Sequence, residues 1–334
     1  MANIALRNPQ YKFIYVPSSG VLSTKCEIYI EGVLKYTIIK NNPNTLTGSN
    51  FDISELARDY LDITWSYNST PQSVTVATIL TNKSGLNGTG STVGNQQSYT
   101  DEGFEAFGYY EEGSNPQIPF ASGNQWLVAP NVFSSGRWQI YVPELATGYV
   151  HYYSTAGGGT ITSYAYSANA TSLTQGSETL NINRIECTKY EPIKVMFINR
   201  YGVQQDLWFF LKEVKSVRRS NESYQSNTLQ TPEDEYAQYD VQDAPKKLFN
   251  TQAKQTRTLS SGYYPEGANG FFEQLLLSEY VWIRAERVDY NNSFRTIPVV
   301  VKTSSITYKT KLNDRLIEYT IEFEDAFDYI NNIR

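Results

Sequence analysis

The chain has 334 residues, a formal net charge of −6 and 40% hydrophobic residues, with 27 Tyr but one His, two Cys and two Met. That length allows about two average domains with their own cores, and a lone His151 excludes a His-based metal site, a Ser-His-Asp triad and a Cys-His dyad. Cys26 and Cys187 fit neither a zinc-ligand cluster nor a redox C-x-x-C motif, and the acidic balance argues against a nucleic-acid partner, which would need a basic face. No apolar run approaches roughly 18 residues and Met1 to Gln10 lacks a signal pattern, so neither membrane insertion nor secretion is expected. Synthesis in a reducing cytoplasm with both thiols free is the corresponding expectation.

The pattern is mostly period two. Cys26, Ile28 and Ile30 share one face, Glu31-Gly32 supplies a turn, and Leu34, Tyr36 and Ile38 alternate again, which predicts a hairpin. Asp52 is placed to cap a short helix over 53–61, with Glu55 at its third position. Asp62 to Trp65 then reads as extended chain. These residues, 1–65, form a first unit expected to pack with the C-terminal part.

Between about Ser66 and Asn183 charged side chains are sparse, and Gly, Ser, Thr and Asn abound. Aromatic or β-branched runs recur at Ser73 to Leu80, Gln125 to Val128, Arg137 to Val142, Tyr149 to Ser154 and Thr160 to Tyr166. Turn formers such as Lys83-Ser84-Gly85, Asn87-Gly88, Ser135-Gly136 and Gly157-Gly158-Gly159 separate them. This spacing suggests an inserted β-sandwich over 66–185, with Ser84 to Asn95 either part of it or a disordered linker.

From 186 onward charge returns. Pro192 to Asn199 and Leu207 to Val214 read as strands divided by the turn Arg200-Tyr201-Gly202. Asn221 to Asp243, which contains Glu233-Asp234-Glu235, reads as a long loop or arm, with the polar arm spanning about 221–249. A helix over 269–278, a strand over 280–288, and strands at 297–302, 305–310 and 315–324 follow. In the last, Ile317, Tyr319, Ile321 and Phe323 alternate with Glu318, Thr320 and Glu322. The fold class expected is mainly β, with β-sandwich-like domains, one or two short helices and an extended arm.

Catalysis would have to rest on carboxylates: Glu111-Glu112, the Glu233 to Asp243 cluster, or Glu322-Glu324-Asp325-Asp328. Paired carboxylates hydrolyse glycosides when held about 5 to 9 Å apart, but surface charge and loop solvation explain each cluster more simply. No spacing matches a Ca²⁺ loop, and Gly157-Gly158-Gly159 lacks the Lys-Ser/Thr of a phosphate cradle. No catalytic, cofactor-binding or metal-ligating residue is therefore assigned and no cofactor is expected. His151 reads as a packed or interfacial ring.

Tyr and Trp give large contact area at small entropic cost. Candidate contact residues are Trp126, Trp138, Tyr149, Tyr152, Tyr153 and Tyr164 in the low-charge segment, beside Tyr141 and Tyr166. They form either a binding face for a protein neighbour or glycan, or a Tyr-rich sandwich core. On the arm, Tyr224, Tyr236, Tyr239 and Leu248 are candidate anchors.

At Phe197-Ile198-Asn199-Arg200-Tyr201-Gly202, followed by Trp208-Phe209-Phe210, and then at Ile297 to Val301, Ser305 and Tyr319 to Phe323, the chain resembles tail-associated structural proteins of tailed bacteriophages, especially those infecting Bacteroidetes-type hosts. The resemblance covers roughly 186–334 and brings no catalytic residues. It implies a non-enzymatic component of a virion tail at the neck, tail tip or baseplate, synthesised in the host cytoplasm. The implied partners are other copies of the chain in an oligomeric ring and neighbouring tail proteins, with host-surface glycan as a further candidate. A carbohydrate-binding adhesin or receptor-binding protein is the alternative, and a carboxylate-based glycan hydrolase is the third class.

Overall fold

The computed structural model of the chain describes residues 1–17, 20–43, 48–121, 123–129, 138–156, 158–186, 189–230, 236, 238–286, 294–307 and 316–328. Cys187, Arg137, the Ser135-Gly136 turn, Gly157, Glu233-Asp234-Glu235, and the strand ends at 287–288, 308–310 and 315 lie outside them. The fold is mainly β, with several sheets and short helices. Among the described residues no helix is long and apolar enough to cross a membrane.

The first sheet has five strands, in the order Ala2–Ala5, Gln97–Phe104, Ser73–Lys83, Ser23–Ile30 and Val33–Asn41. The expected hairpin is present. Cys26, Ile28 and Ile30 are buried, and Glu31 and Gly32 both take positive φ (49° and 77°), the geometry whose twist matches a two-residue hairpin. The helix is shorter than expected, Ser54–Arg58. Asp52 Oδ1 accepts hydrogen bonds from the Ser54 amide (3.0 Å) and, across the fold, from the Gln10 amide (3.0 Å), so one carboxylate holds both the helix start and the neighbouring chain.

The inserted unit expected over 66–185 requires correction at its N-terminal boundary. Ser73–Lys83 and Gln97–Phe104 complete the first sheet: Gln97–Phe104 pairs antiparallel with Ser73–Lys83 and parallel with Ala2–Ala5. Only the later part, from Gln125, builds separate sheets. One has the order Thr160–Tyr166, Gly148–Ser154, Gln125–Trp126; the other runs Ser172–Gln175, Glu178–Ile185, Trp138–Pro143. Their buried residues, including Ile140, Val142, Val150, Leu180 and Ile182, share one core with Val195, Phe197, Phe209, Phe272 and Phe323 of the C-terminal part. The loop 84–95 is ordered: the Ser84 amide bonds Ser91 O (3.0 Å), and Asn41 Nδ2 bonds Asn87 Oδ1 (2.7 Å).

The C-terminal sheet has seven strands, all antiparallel, in the order Gln204–Phe209, Ile193–Ile198, Val281–Glu286, Phe294–Val301, Thr320–Asp325, Lys246–Ser260 and Glu213–Gln225. Its middle is covered on both faces. Val195, Phe197, Val281 and Ile283 enter the large core, while Met196, Ile198 and Trp282 cap the first sheet's core beside Ile28, Val76 and Leu80. That double burial accounts for the near-continuous apolar runs 195–198 and 281–283. The helix Asn269–Leu277 lays Phe271, Phe272 and Leu275 into the large core. Ile317, Tyr319, Ile321 and Phe323 are all buried, although the strand expected over 315–324 is split into Leu316–Ile317 and Thr320–Asp325.

Candidate functional surface

The Asn199-Arg200-Tyr201-Gly202 turn is where the parts of the chain are joined. Asn199 is fully buried; its Oδ1 accepts from the Tyr201 amide (2.9 Å), and its Nδ2 donates to Leu127 O (2.8 Å) and Gln205 Oε1 (3.0 Å). The side chain thus shapes its own turn and holds the Gln125–Trp126 segment. Gly202 has φ 75°, and a Cβ there would lie 2.8 Å from Phe104 Cβ, so the first sheet approaches this turn too closely for any other residue. Arg200 lies between the rings of Tyr109 and Phe120, 4.3 Å from each centroid, and pairs with Glu112 at 2.6 Å. A planar guanidinium suits that stacked, paired position. Nearby, Glu279 pairs with Arg7 (3.3 Å) and Arg58 (2.6 Å), and Glu105 bridges the same two arginines.

Three of the carboxylate candidates are held by ion pairs. Glu112 meets Arg200 of that turn, and Asp325 meets Arg257 (3.0 Å). Glu324 pairs with Lys254 (2.9 Å) and Lys302 (3.5 Å), and the bond from Lys254 holds its carboxyl below the usual range. Among the described residues no group of three His, Cys, Asp or Glu could hold a metal ion.

His151 is buried in a polar junction. Its Nε2 faces Gln204 O at 3.0 Å and its Nδ1 faces Ser163 Oγ at 3.1 Å, while Gln204 Nε2 donates to Ser69 Oγ (2.9 Å). Burial pushes the imidazole down to about 4, so the ring is neutral near pH 7: with Nε2–H donating to the carbonyl, Nδ1 accepts from the serine.

The aromatic candidates of the low-charge segment turn inward. Trp126 is 0% exposed and Tyr152 is buried. Their rings meet edge to face at 5.0 Å, and Tyr164 meets them at 5.7 and 6.2 Å. The polar ends are satisfied by backbone, Trp126 Nε1 donating to Glu178 O (3.3 Å) and Tyr152 Oη to Gln175 O (3.0 Å). Trp138 and Tyr164 pack, half-buried, against the same core, and Tyr153 packs against the small cluster around Phe104, Ile118 and Tyr201. The core alternative therefore describes this segment, and Trp126 and Tyr152 are corrected from contact residues to core residues. Tyr149 lines a surface crevice, its Oη donating to Asn68 Oδ1 (3.2 Å), and Tyr153 lines another.

The stretch expected to be a long loop or arm takes the second form. It is a regular β-ribbon and not a long loop: Glu213–Gln225 pairs with Lys246–Ser260 along almost its whole length, with a bulge between Ser220 and Glu222, and Leu229–Gln230 pairs with Gln238–Tyr239 beyond. Only 256–260 of the return strand also pair with the sheet, through Thr320–Asp325. The outer half is therefore two strands thick. Large apolar side chains interrupt its polar surface. Val217, Tyr224, Leu248 and Phe249 are exposed, as are Tyr236 (94%) and Tyr239 (69%) nearer the tip, and Tyr224 meets Phe249 at 5.7 Å. Lys215, Arg218, Arg219, Lys246, Lys247 and Lys254 run between these residues on the two strands. Of all the residues singled out from sequence, the arm's are the ones left facing solvent together.

Comparison with protein-family models, with curated proteins and with solved structures found no match.

Proposed function

We propose that the chain is a non-enzymatic structural component of a phage virion tail, at the neck, tail tip or baseplate, and that it assembles with copies of itself and with neighbouring tail proteins through the arm. The observation that supports this is the ribbon itself. A two-stranded hairpin is at best marginally stable in water, and this one carries large apolar and aromatic side chains on both faces, Tyr224 and Phe249 on one and Leu248 on the other, that are exposed among the described residues. Laid on a neighbouring subunit, or added to its sheet, the same ribbon buries those side chains and gains a second layer. The resemblance over 186–334 points to the virion tail as the setting.

The test compares the intact chain with a Tyr224→Ser/Leu248→Ser/Phe249→Ser variant by light scattering and negative-stain microscopy. The intact chain is expected to form ring-shaped oligomers in which the arm resists protease, and the variant to stay monomeric with an unchanged melting temperature and a cleavable arm. An intact chain that stays monomeric at high concentration, or a variant that assembles equally well, overturns the reading.

A further inference from the structure

The loop 64–72 presents two aromatic rings that the fold itself does not use. Tyr67 is 78% exposed and Trp65 39%, and they stand edge to face at 6.5 Å over a crevice of about 230 Å³. Tyr149, Lys194, Gln204 and Arg284 line the remaining walls, so the loop, the Gly148–Ser154 strand and the seven-stranded sheet each contribute a side.

The loop is fixed before any ligand arrives. Gln72 clasps Thr64, accepting from its amide (2.8 Å) and donating to its carbonyl (2.9 Å). Gln204 accepts from the Ser66 amide (3.4 Å) and donates to Ser69 Oγ. Trp65 Nε1 donates to Met196 Sδ (3.2 Å), which sets the indole's angle. Rings held in this way lose little freedom on binding. The cavity is smaller than the roughly 300–1,000 Å³ of sites for drug-sized ligands, which limits the occupant to about one ring.

We propose that this crevice binds a single pyranose ring of a glycan, its C–H face stacked on one of the two rings, Trp65 or Tyr67, with the other standing across its edge, and its hydroxyl rim met by Lys194, Gln204 and Arg284. A pyranose is the ligand class that combines an apolar face with a ring of hydroxyls, and the walls divide in the same manner. The site binds without cleaving. None of its lining residues is a carboxylate, and Asp206 is held by Lys194 at 2.5 Å, whereas glycoside hydrolysis requires two carboxylates across the bond. This inference does not depend on the arm or on assembly.

The test titrates the full-length protein with glucose, galactose, N-acetylglucosamine and glucuronate, reading tryptophan fluorescence and saturation-transfer NMR. Saturable binding of at least one sugar is expected, weakened about tenfold or more by Trp65→Ala and by Tyr67→Ala, and unchanged by Tyr236→Ala on the arm. Tyr67 is exposed enough that its variant keeps the fold, which separates a lost site from a lost structure. No saturable binding of any of the four, or equal binding by Tyr67→Ala, overturns the proposal.

Discussion

The sheets from 125 to 185 and the arm from 213 to 260 are both β-structure with prominent tyrosines, yet one conceals its rings and the other displays them. In the first, Gly148–Ser154 is buried at Val150, His151 and Tyr152 in succession, because one face meets the large core and the other meets the polar junction around Gln204. In the second, no residue of the outer strands enters a core among the described residues, so alternation places side chains toward solvent whichever way they point. Tyrosine suits both environments, with a large apolar body and a hydroxyl that accepts either a backbone carbonyl or water. Residue type therefore does not tell the two apart; the number of layers around the strand does.

The sharpest way to break the contrast is Trp126→Ala. The indole is wholly enclosed and touches Tyr152 and Tyr164, so its removal leaves a cavity in the core shared with the C-terminal sheet. A loss of about 3–5 kcal/mol is expected, read as a lowered denaturation midpoint. Near-native stability would mean that the Trp126 ring contributes to a surface and not to the core.

How much of this was legible in the sequence follows from where alternation had a cause. Cys26 to Ile30 and Ile317 to Phe323 each have one buried face, so their period was visible, and the helix Asn269–Leu277 shows the Phe271-Phe272-Leu275 stripe that buries it. Gln97–Phe104 gave no such sign. Its Asp101 is buried against Lys12 at 2.5 Å, and Gly103 lies where a Cβ would meet Leu6 Cδ1 at 2.7 Å, so a charge and a missing side chain do the packing that apolar residues do elsewhere. The shift in charge near Ser66 was real, but composition does not specify a strand's partner, and the pairing with Ala2–Ala5 spans about a hundred positions of sequence. The arm's place was legible from its polarity; its ribbon form was not, because strands without a buried face have no reason to alternate. Nothing in the sequence marked Trp65 and Tyr67, since their exposure depends on the clasp between Gln72 and Thr64.

A second probe uses pH on the buried side of the comparison. His151 has an ordinary pKa of 6.5 and a folded value of about 4. Its contribution is fully present above 6.5 and is lost as pH falls toward 4, because over that interval the unfolded chain binds a proton that the folded chain refuses. The limit of the effect is about 3 kcal/mol. As the single histidine of the chain, its imidazole proton resonances are unambiguous by NMR. They should titrate near 4 in the native protein, and the loss of stability between pH 6.5 and 4 should be shallower in His151→Gln. A native midpoint near 6.5 would show the ring open to water.

The gentlest perturbation lies on the arm. Tyr224→Ala removes one half of an exposed edge-to-face pair across the outer half of the ribbon, which contributes no residue to the described cores. The unfolding midpoint should move by no more than about 0.5 kcal/mol. Hydrogen exchange should nevertheless respond locally. Amides of 246–255, bonded only within the hairpin, should exchange faster in the variant, while those of 256–260, held on both sides by Glu213–Gln225 and Thr320–Asp325, should keep their protection. Equal acceleration in both halves would mean that the ribbon and the sheet open as one unit, and that the arm's tyrosines support the fold in the way Trp126 does.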